Sequence, residues 1–92
     1  MNEQQGSELN RLSQQDPSLR AQEAMLRMAR DLQAQGHVHE ALDMYTNLIE
    51  DYPGTQASVA ASNAMVELAV YLEQQGMPRS ALEVYHKLEE LQ

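Results

Sequence analysis

Residues 32–48 read LQAQGHVHEALDMYTNL, and residues 72–88 read LEQQGMPRSALEVYHKL. The two stretches carry leucine, glycine, alanine and tyrosine at matching places, and the same offset of 40 residues separates each matching pair. Self-similarity at a period of roughly 20–50 residues is typical of repeat architectures. The chain is therefore predicted to contain two copies of one unit. The match extends upstream through four further pairs: Ala21/Ala61, Ala24/Ala64, Met25/Met65 and Ala29/Ala69.

Apolar residues recur at helical spacing in two segments of each unit, which predicts four helices. Helix-stop signals follow three of them: Gly36 and Gly76 suit the left-handed position after a helix, and Tyr52-Pro53-Gly54 cannot continue one. No segment alternates polar and apolar residues for long enough to indicate a strand. The predicted fold is all-α, with two helical hairpins in tandem. The predicted helices run from Asp16-Pro17 to Gly36, from about Val38 to Asp51, from about Gln56 to Gln75, and from Pro78 to the end.

The predicted organisation is a polar lead followed by one domain. Residues 1–15 are rich in Gln, Asn, Glu and Ser, which predicts a flexible segment. Residues 16–92 form the domain, with repeat 1 at about 17–54 and repeat 2 at about 57–92. Asp16 is a favoured N-cap residue for the first helix.

Composition excludes several classes of function. The chain has 92 residues, no cysteine and a net charge of −8, from 14 acidic and 6 basic residues. Without cysteine there is no disulfide, thiolate nucleophile or thiol-ligated zinc. A phosphate-binding surface needs clustered Lys and Arg, so nucleic acid is not an expected partner. No apolar run approaches the length of a membrane span. We expect a cytoplasmic protein with no cofactor and no membrane partner.

Each unit resembles the tetratricopeptide repeat, a helical hairpin that serves protein–protein interaction. Two departures stand out, because Met25 and Met65 occupy the place of the usual tryptophan and the period of 40 exceeds the family's ~34 residues. The lengthened repeat resembles variants in bacterial envelope and assembly-factor proteins. The first unit carries the family's pattern of small, apolar, glycine, alanine, aromatic and proline residues at Ala29, Leu32, Gly36, Ala41, Tyr45, Leu48 and Pro53, and the second unit carries it at Ala69, Leu72, Gly76, Ala81, Tyr85 and Leu88.

The resemblance implies a binding groove. In tetratricopeptide proteins, one face of the first helix of each repeat lines a concave groove that holds a peptide. The lysine and asparagine clamp of the chaperone-binding members is absent, and an apolar stripe replaces it. This predicts an apolar peptide or a helix as guest, or a stripe that the polar lead or a second copy covers. The implied groove residues are Glu23, Leu26, Arg30 and Gln33 in the first unit and Asn63, Val66, Val70 and Glu73 in the second.

Catalytic and metal-binding patterns are weak. His37, His39 and Glu40 offer three possible ligands at one turn, but a stable zinc site has four ligands or a helical HExxH frame. Adjacent carboxylates such as Glu89-Glu90 do not face one another on a helix, so they make poor acid–base pairs. We therefore predict no catalytic residue, no metal site and no enzyme activity, and we expect the histidines to be solvated surface residues.

The fourth helix suggests self-association. Its apolar residues cover about half of the circumference on a helical wheel, which exceeds what one neighbouring helix can cover. We therefore predict a two-fold homodimer, because this is the commonest closed assembly. Two hypotheses of function remain open: an adaptor or assembly factor that binds a protein or peptide partner, and a self-associating structural protein. The residues assigned to self-association are Tyr71, Leu82, Val84 and Leu91.

Overall fold

The computed structural model describes residues 17–92, and four helices make up most of this range. No strand occurs among these residues, and the helices form two hairpins, so the predicted all-α class and tandem arrangement are confirmed. The polar lead at 1–15 and the Asp16 cap lie outside the described residues. The helices are α1 Pro17–Ala34, α2 Val38–Asp51, α3 Gln56–Gln74 and α4 Pro78–Glu90.

The turn inside each hairpin is the same hydrogen-bonded helix end. Gly36 has φ +86° and Gly76 has φ +75°, the left-handed region that glycine adopts without a steric penalty. The Gly36 amide donates to the Gln33 carbonyl at 3.0 Å, and the His37 amide donates to the Leu32 carbonyl at 2.8 Å. The equivalent bonds in the second hairpin measure 3.0 and 2.9 Å. This is the Schellman pattern, and it ends α1 and α3 where the sequence predicts.

The turn between the hairpins ends with a side-chain cap. Gly54 has φ +77°, which lets the chain reverse after Pro53. The Thr55 hydroxyl oxygen accepts from the Ser58 amide at 3.1 Å and donates to the Tyr52 carbonyl at 2.8 Å. A capping hydroxyl satisfies one of the free amides at a helix start, so this turn fixes where α3 begins.

The two hairpins pack side by side. Within each hairpin the two helices are in contact, and α3 also contacts α2 and, less extensively, α1. The small residues Ala29, Ala41, Ala69 and Ala81 are buried, and small side chains let paired helices approach closely. The larger residues that fill the core are Tyr45, Leu48, Met65, Leu68, Leu72 and Val84.

Val84 is a correction to the predicted interface. It was assigned to self-association, but only 1% of its surface is exposed within a single chain. On α4, Ala81 and Val84 are buried, whereas Tyr85 and Leu88 are partly buried against the core. The apolar stripe that faces α3 therefore lies further toward Val84 than the wheel of the isolated helix suggested. Val84 is unavailable for contact with a second copy.

Candidate binding groove

An open groove lies between α1 and α3, the first helices of the two hairpins. Its volume is about 840 Å³. Alanines from both helices line it, and their short side chains leave space where larger residues would close the gap. The lining residues are Arg30, Gln33, Ala34, Gly36, Val38, Tyr45, Ala60, Asn63, Ala64, Glu67, Leu68, Tyr71, Leu72, Gln75 and Met77.

Opposite charges stand on the two helices of the groove. Arg30 comes from α1 and Glu67 from α3. Both act on the hydroxyl of Tyr45: burial is the largest cause that raises the pKa of Tyr45, Arg30 opposes the rise, and Glu67 adds to it. The groove therefore has a cationic and an anionic side within reach of one buried hydroxyl.

A hydrogen bond inside the first hairpin fixes one end of the groove. The Tyr45 hydroxyl donates to Oε1 of Gln33 at 2.8 Å, and both residues line the groove. The Tyr45 side chain is fully buried, so the hydroxyl would lose stabilisation without an acceptor. Because Tyr45 is held by the core, this bond orients Gln33, whose remaining polar group is the amide nitrogen, a hydrogen-bond donor.

A second, smaller cavity of about 620 Å³ adjoins the groove. Leu19 and Leu26 of α1 line one side, and Gln56, Ala57 and Ala60 at the start of α3 line the other. Ala60 lines both cavities, so the two lie next to each other at the α1–α3 contact.

The structure divides the predicted groove residues into three sets. Arg30, Gln33 and Asn63 line the main groove, where they lie close together in space. Leu26 lines the smaller cavity, as does Glu23. Neither cavity is lined by the remaining three, which are exposed on α3: Val66, Val70 and Glu73.

The residues predicted for self-association also lie in different environments. Tyr71 is 52% exposed and lines the main groove. Leu82 is 66% exposed, the most exposed large apolar residue in the described part of the chain. Leu91 is partly buried and packs against the core.

The sequence did not predict three of the α3 residues that line the groove. Ala60, Ala64 and Glu67 were not assigned to a site, although all three line the groove. Their spacing of three and four residues places them on one face of α3, which was the available signal. The signal was insufficient because alanines at this spacing are equally common in tightly packed helix pairs.

The candidate ligands at the first turn remain on the surface. His37 Nδ1 lies 3.7 Å from Glu40 Oε1, and both side chains are more than half exposed. His39 is also exposed. Within residues 17–92, no three His, Asp or Glu side chains are grouped closely enough to hold a metal ion.

The fold gives the class of protein, and a family model matches its first hairpin. Tandem helical hairpins with a groove between their first helices define a helical repeat protein. Residues 23–55 match the family model described as Tetratricopeptide repeat, so the chain carries a repeat of that family. The matched range runs from α1 to the Thr55 cap, which is the first hairpin. No match was found among curated proteins or among solved structures.

The family assignment carries a general function. Tetratricopeptide repeats are typically non-enzymatic modules for protein–protein interaction, and a protein partner is therefore indicated. None of the four described helices has the length and apolar character that a bilayer crossing requires.

Proposed function

We propose that the chain is an adaptor or assembly factor that holds a segment of a partner protein in the groove between α1 and α3. The observation that carries this proposal is the groove itself, an open depression of about 840 Å³ with a floor of small apolar residues and polar groups from both helices. Peptide- and ligand-binding sites combine apolar surface with a few placed polar groups in the same way.

The lining residues indicate the chemistry of the guest. Alanine, valine and leucine on the floor favour short apolar side chains of the guest. The amides of Gln33, Asn63 and Gln75 each supply donors and acceptors, which suits the main chain of a peptide. Arg30 and Glu67 would favour a guest with an acidic group on one side and a basic group on the other. The guest is therefore a short amphipathic segment with both charges.

A matched pair of variants tests the groove. Ala60→Arg places a long cation in the depression, whereas Val59→Arg places the same side chain on the adjacent residue, which is 56% exposed and lines neither cavity. The probe is a display library of random 12-residue peptides (about 40 Å when extended). We expect the wild-type chain and Val59→Arg to select the same peptides, and Ala60→Arg to select none of them.

Two results would contradict the groove as the binding site. One is a wild-type chain that selects no peptide. The other is an Ala60→Arg chain that selects the wild-type set, with an unchanged circular dichroism spectrum that shows the fold is intact. The selection is repeated with Leu82→Glu added to all three chains, and the same outcome there shows that the result does not depend on self-association through α4.

Self-association is the second candidate function, and one observation favours it. Leu82 and Tyr71 are large, apolar and more than half exposed. Exposed apolar surface of this kind commonly marks an interface. Light scattering over a concentration series measures the mass of the species. A chain that stays monomeric at high micromolar concentration would rule this candidate out.

We also infer a bacterial, cytoplasmic protein that acts by binding and not by catalysis. The absence of cysteine is consistent with a reducing compartment, and the lengthened repeat resembles bacterial variants. Fractionation of the source cells with an antibody against the chain tests the location. Recovery in an envelope fraction would contradict it.

A further inference from the structure

Comparison of equivalent residues in the two repeats reveals two incompletely covered faces, one on α1 and one on the second hairpin. Within the chain, α3 packs on the first hairpin, and the buried core cluster includes apolar residues from both. Leu42, on the α2 side, is 9% exposed, and Leu68, on the α3 side, is 0% exposed. The residue equivalent to Leu42 is Leu82, which is 66% exposed, and the residue equivalent to Leu68 is Met28, which is 52% exposed.

The same difference holds along both faces. On the second hairpin, Tyr85 and Leu88 are only partly buried, although their equivalents Tyr45 and Leu48 are fully buried. On α1, Met25 is only partly buried, although its equivalent in α3 is fully buried. Leu82 thus marks a face of the second hairpin that is equivalent to the face of the first hairpin on which α3 packs. Met28 marks a face of α1 that is equivalent to the face of α3 that packs there.

We propose that a second copy of this chain docks its α1 on the second hairpin, in the way that α3 docks on the first hairpin. This proposal rests on the self-association given above as the second candidate function. It adds that α1 of one copy contacts the second hairpin of the next copy. The occupant is a second copy because the chain already carries both sides of the contact. The proposed interface repeats the packing that joins the two hairpins.

The charges on the two faces are complementary. Inside the chain, Arg30 on the first hairpin shares the groove with Glu67 on α3. In the contact between copies, α1 of the docked copy takes the place of α3, so its Arg27 stands where Glu67 stands within one chain. On the second hairpin that receives it, Glu73 is one helical turn from Val70, the residue equivalent to Arg30. The proposed contact therefore brings a cation on α1 near an anion on the second hairpin, and opposite charges favour association. Both Arg27 and Glu73 are exposed in the single chain, so both are available to a second copy.

This direction distinguishes the contact from a two-fold dimer. A two-fold dimer through α4 would place Leu82 of one copy against the same region of the other and would end at two copies. Docking of α1 on the second hairpin uses two different surfaces, so each added copy leaves one of each kind free. Such heterologous contacts generate rings or open arrays.

Two variants, measured separately and mixed, test the proposal. Met28→Glu disables the α1 face, and Leu82→Glu disables the hairpin face. Both positions are more than half exposed, so the fold should be retained. The mass of each species is measured by sedimentation equilibrium over a concentration series. Wild type should grow beyond two copies, and each variant alone should weaken association at least tenfold, because burial of one such side chain contributes about this factor or more.

The mixture gives the decisive result. An equimolar mixture of the two variants should form dimers and nothing larger, because Leu82→Glu supplies an intact α1 and Met28→Glu supplies an intact second hairpin. Val59→Glu, exposed on α3 outside both faces, is the matched control and should associate like wild type. The proposal is overturned if Met28→Glu associates like wild type, if the mixture forms no dimer, or if wild type stays monomeric. Because no peptide is present, none of these outcomes bears on the groove.

Discussion

The two hairpins have equivalent turns but differ in the burial of equivalent residues. Their glycine turns make equivalent hydrogen bonds that agree within 0.1 Å, at 3.0 and 2.8 Å in the first hairpin and 3.0 and 2.9 Å in the second. Yet Tyr45 is fully buried and its equivalent Tyr85 is only partly buried. The difference arises because α3 covers the first hairpin, whereas no described helix covers the corresponding face of the second. Local sequence sets the hairpin, and the neighbouring helix sets the burial.

The hairpins also differ in how each tyrosine hydroxyl is satisfied. Tyr45 donates to the neutral amide of Gln33, and burial raises its pKa. For Tyr85 the acceptor is the carboxylate of the equivalent residue, Glu73, and this hydrogen bond is the main cause that raises the pKa of Tyr85. A raised pKa in the folded state means that Tyr45 stabilises the fold below the ordinary pKa of tyrosine. That contribution is lost as the pH rises through the folded value.

The largest expected effect separates the two tyrosines. Tyr45→Ala should lower the free energy of unfolding by about 3–5 kcal/mol, because it removes a fully buried aromatic side chain. Tyr85→Ala should lower it less, by about 1–2 kcal/mol, because that side chain is only partly buried against the core. Urea denaturation of both variants, at a concentration where the chain is monomeric, measures the difference. Equal losses would show that the difference in burial has no energetic consequence.

The glycine turns should show the opposite behaviour, equal effects in both hairpins. Gly36→Val and Gly76→Val should each lower the free energy of unfolding by about 1–2 kcal/mol, because a branched side chain disfavours the left-handed backbone. Apart from the two neighbouring residues in the chain, no residue has an atom within 4 Å of where a Cβ would stand at either position, so the cost comes from the backbone conformation. Shifts of the urea midpoint give both values. A midpoint unchanged by either substitution would mean that the helix does not require its glycine there.

A buried hydroxyl in the first hairpin offers a gain in stability. Thr46 Oγ1 is buried and has no hydrogen-bond partner. Thr46→Val keeps the branched shape and removes the unpaired hydroxyl, so the free energy of unfolding should rise by about 1 kcal/mol. The equivalent residue, His86, is exposed, and His86→Val is the matched control with an expected change within about ±0.5 kcal/mol. Thermal melts of the pair measure both, and a lower melting temperature for Thr46→Val would count against an unpaired hydroxyl.

The smallest expected effect is a change in the pKa of Tyr85 without a change in fold. Glu73→Gln gives the second hairpin the neutral acceptor of the first, so the pKa of Tyr85 should fall toward its ordinary value. The absorbance of tyrosinate against pH measures the shift, after Tyr52→Phe and Tyr71→Phe leave Tyr45 and Tyr85 as the two remaining tyrosines. Tyr45 serves as the internal reference, because its pKa is raised mainly by burial. If the Tyr85 titration does not move, Glu73 is not its acceptor.

Prediction from sequence succeeded where the signal is local. The starts of α2, α3 and α4 and the two glycine turns follow from residues within a few positions of each boundary. The groove was predicted only in part: Arg30, Gln33 and Asn63 line it, but Val66 and Val70 do not. The register between α1 and α3 decides which face of α3 meets the groove, and no pattern within one helix encodes that register.

The sequence by itself determined the repeat, the four helices and the turns between them, because hydrogen bonds and backbone preferences act over a few residues. Only the tertiary structure decided which of two equivalent residues is buried. Leu42 and Leu82 have the same place in the repeat, and Val84 appeared free on the wheel of its own helix. Their surroundings differ because burial requires a covering helix, and the position of that helix depends on the packing of the whole chain.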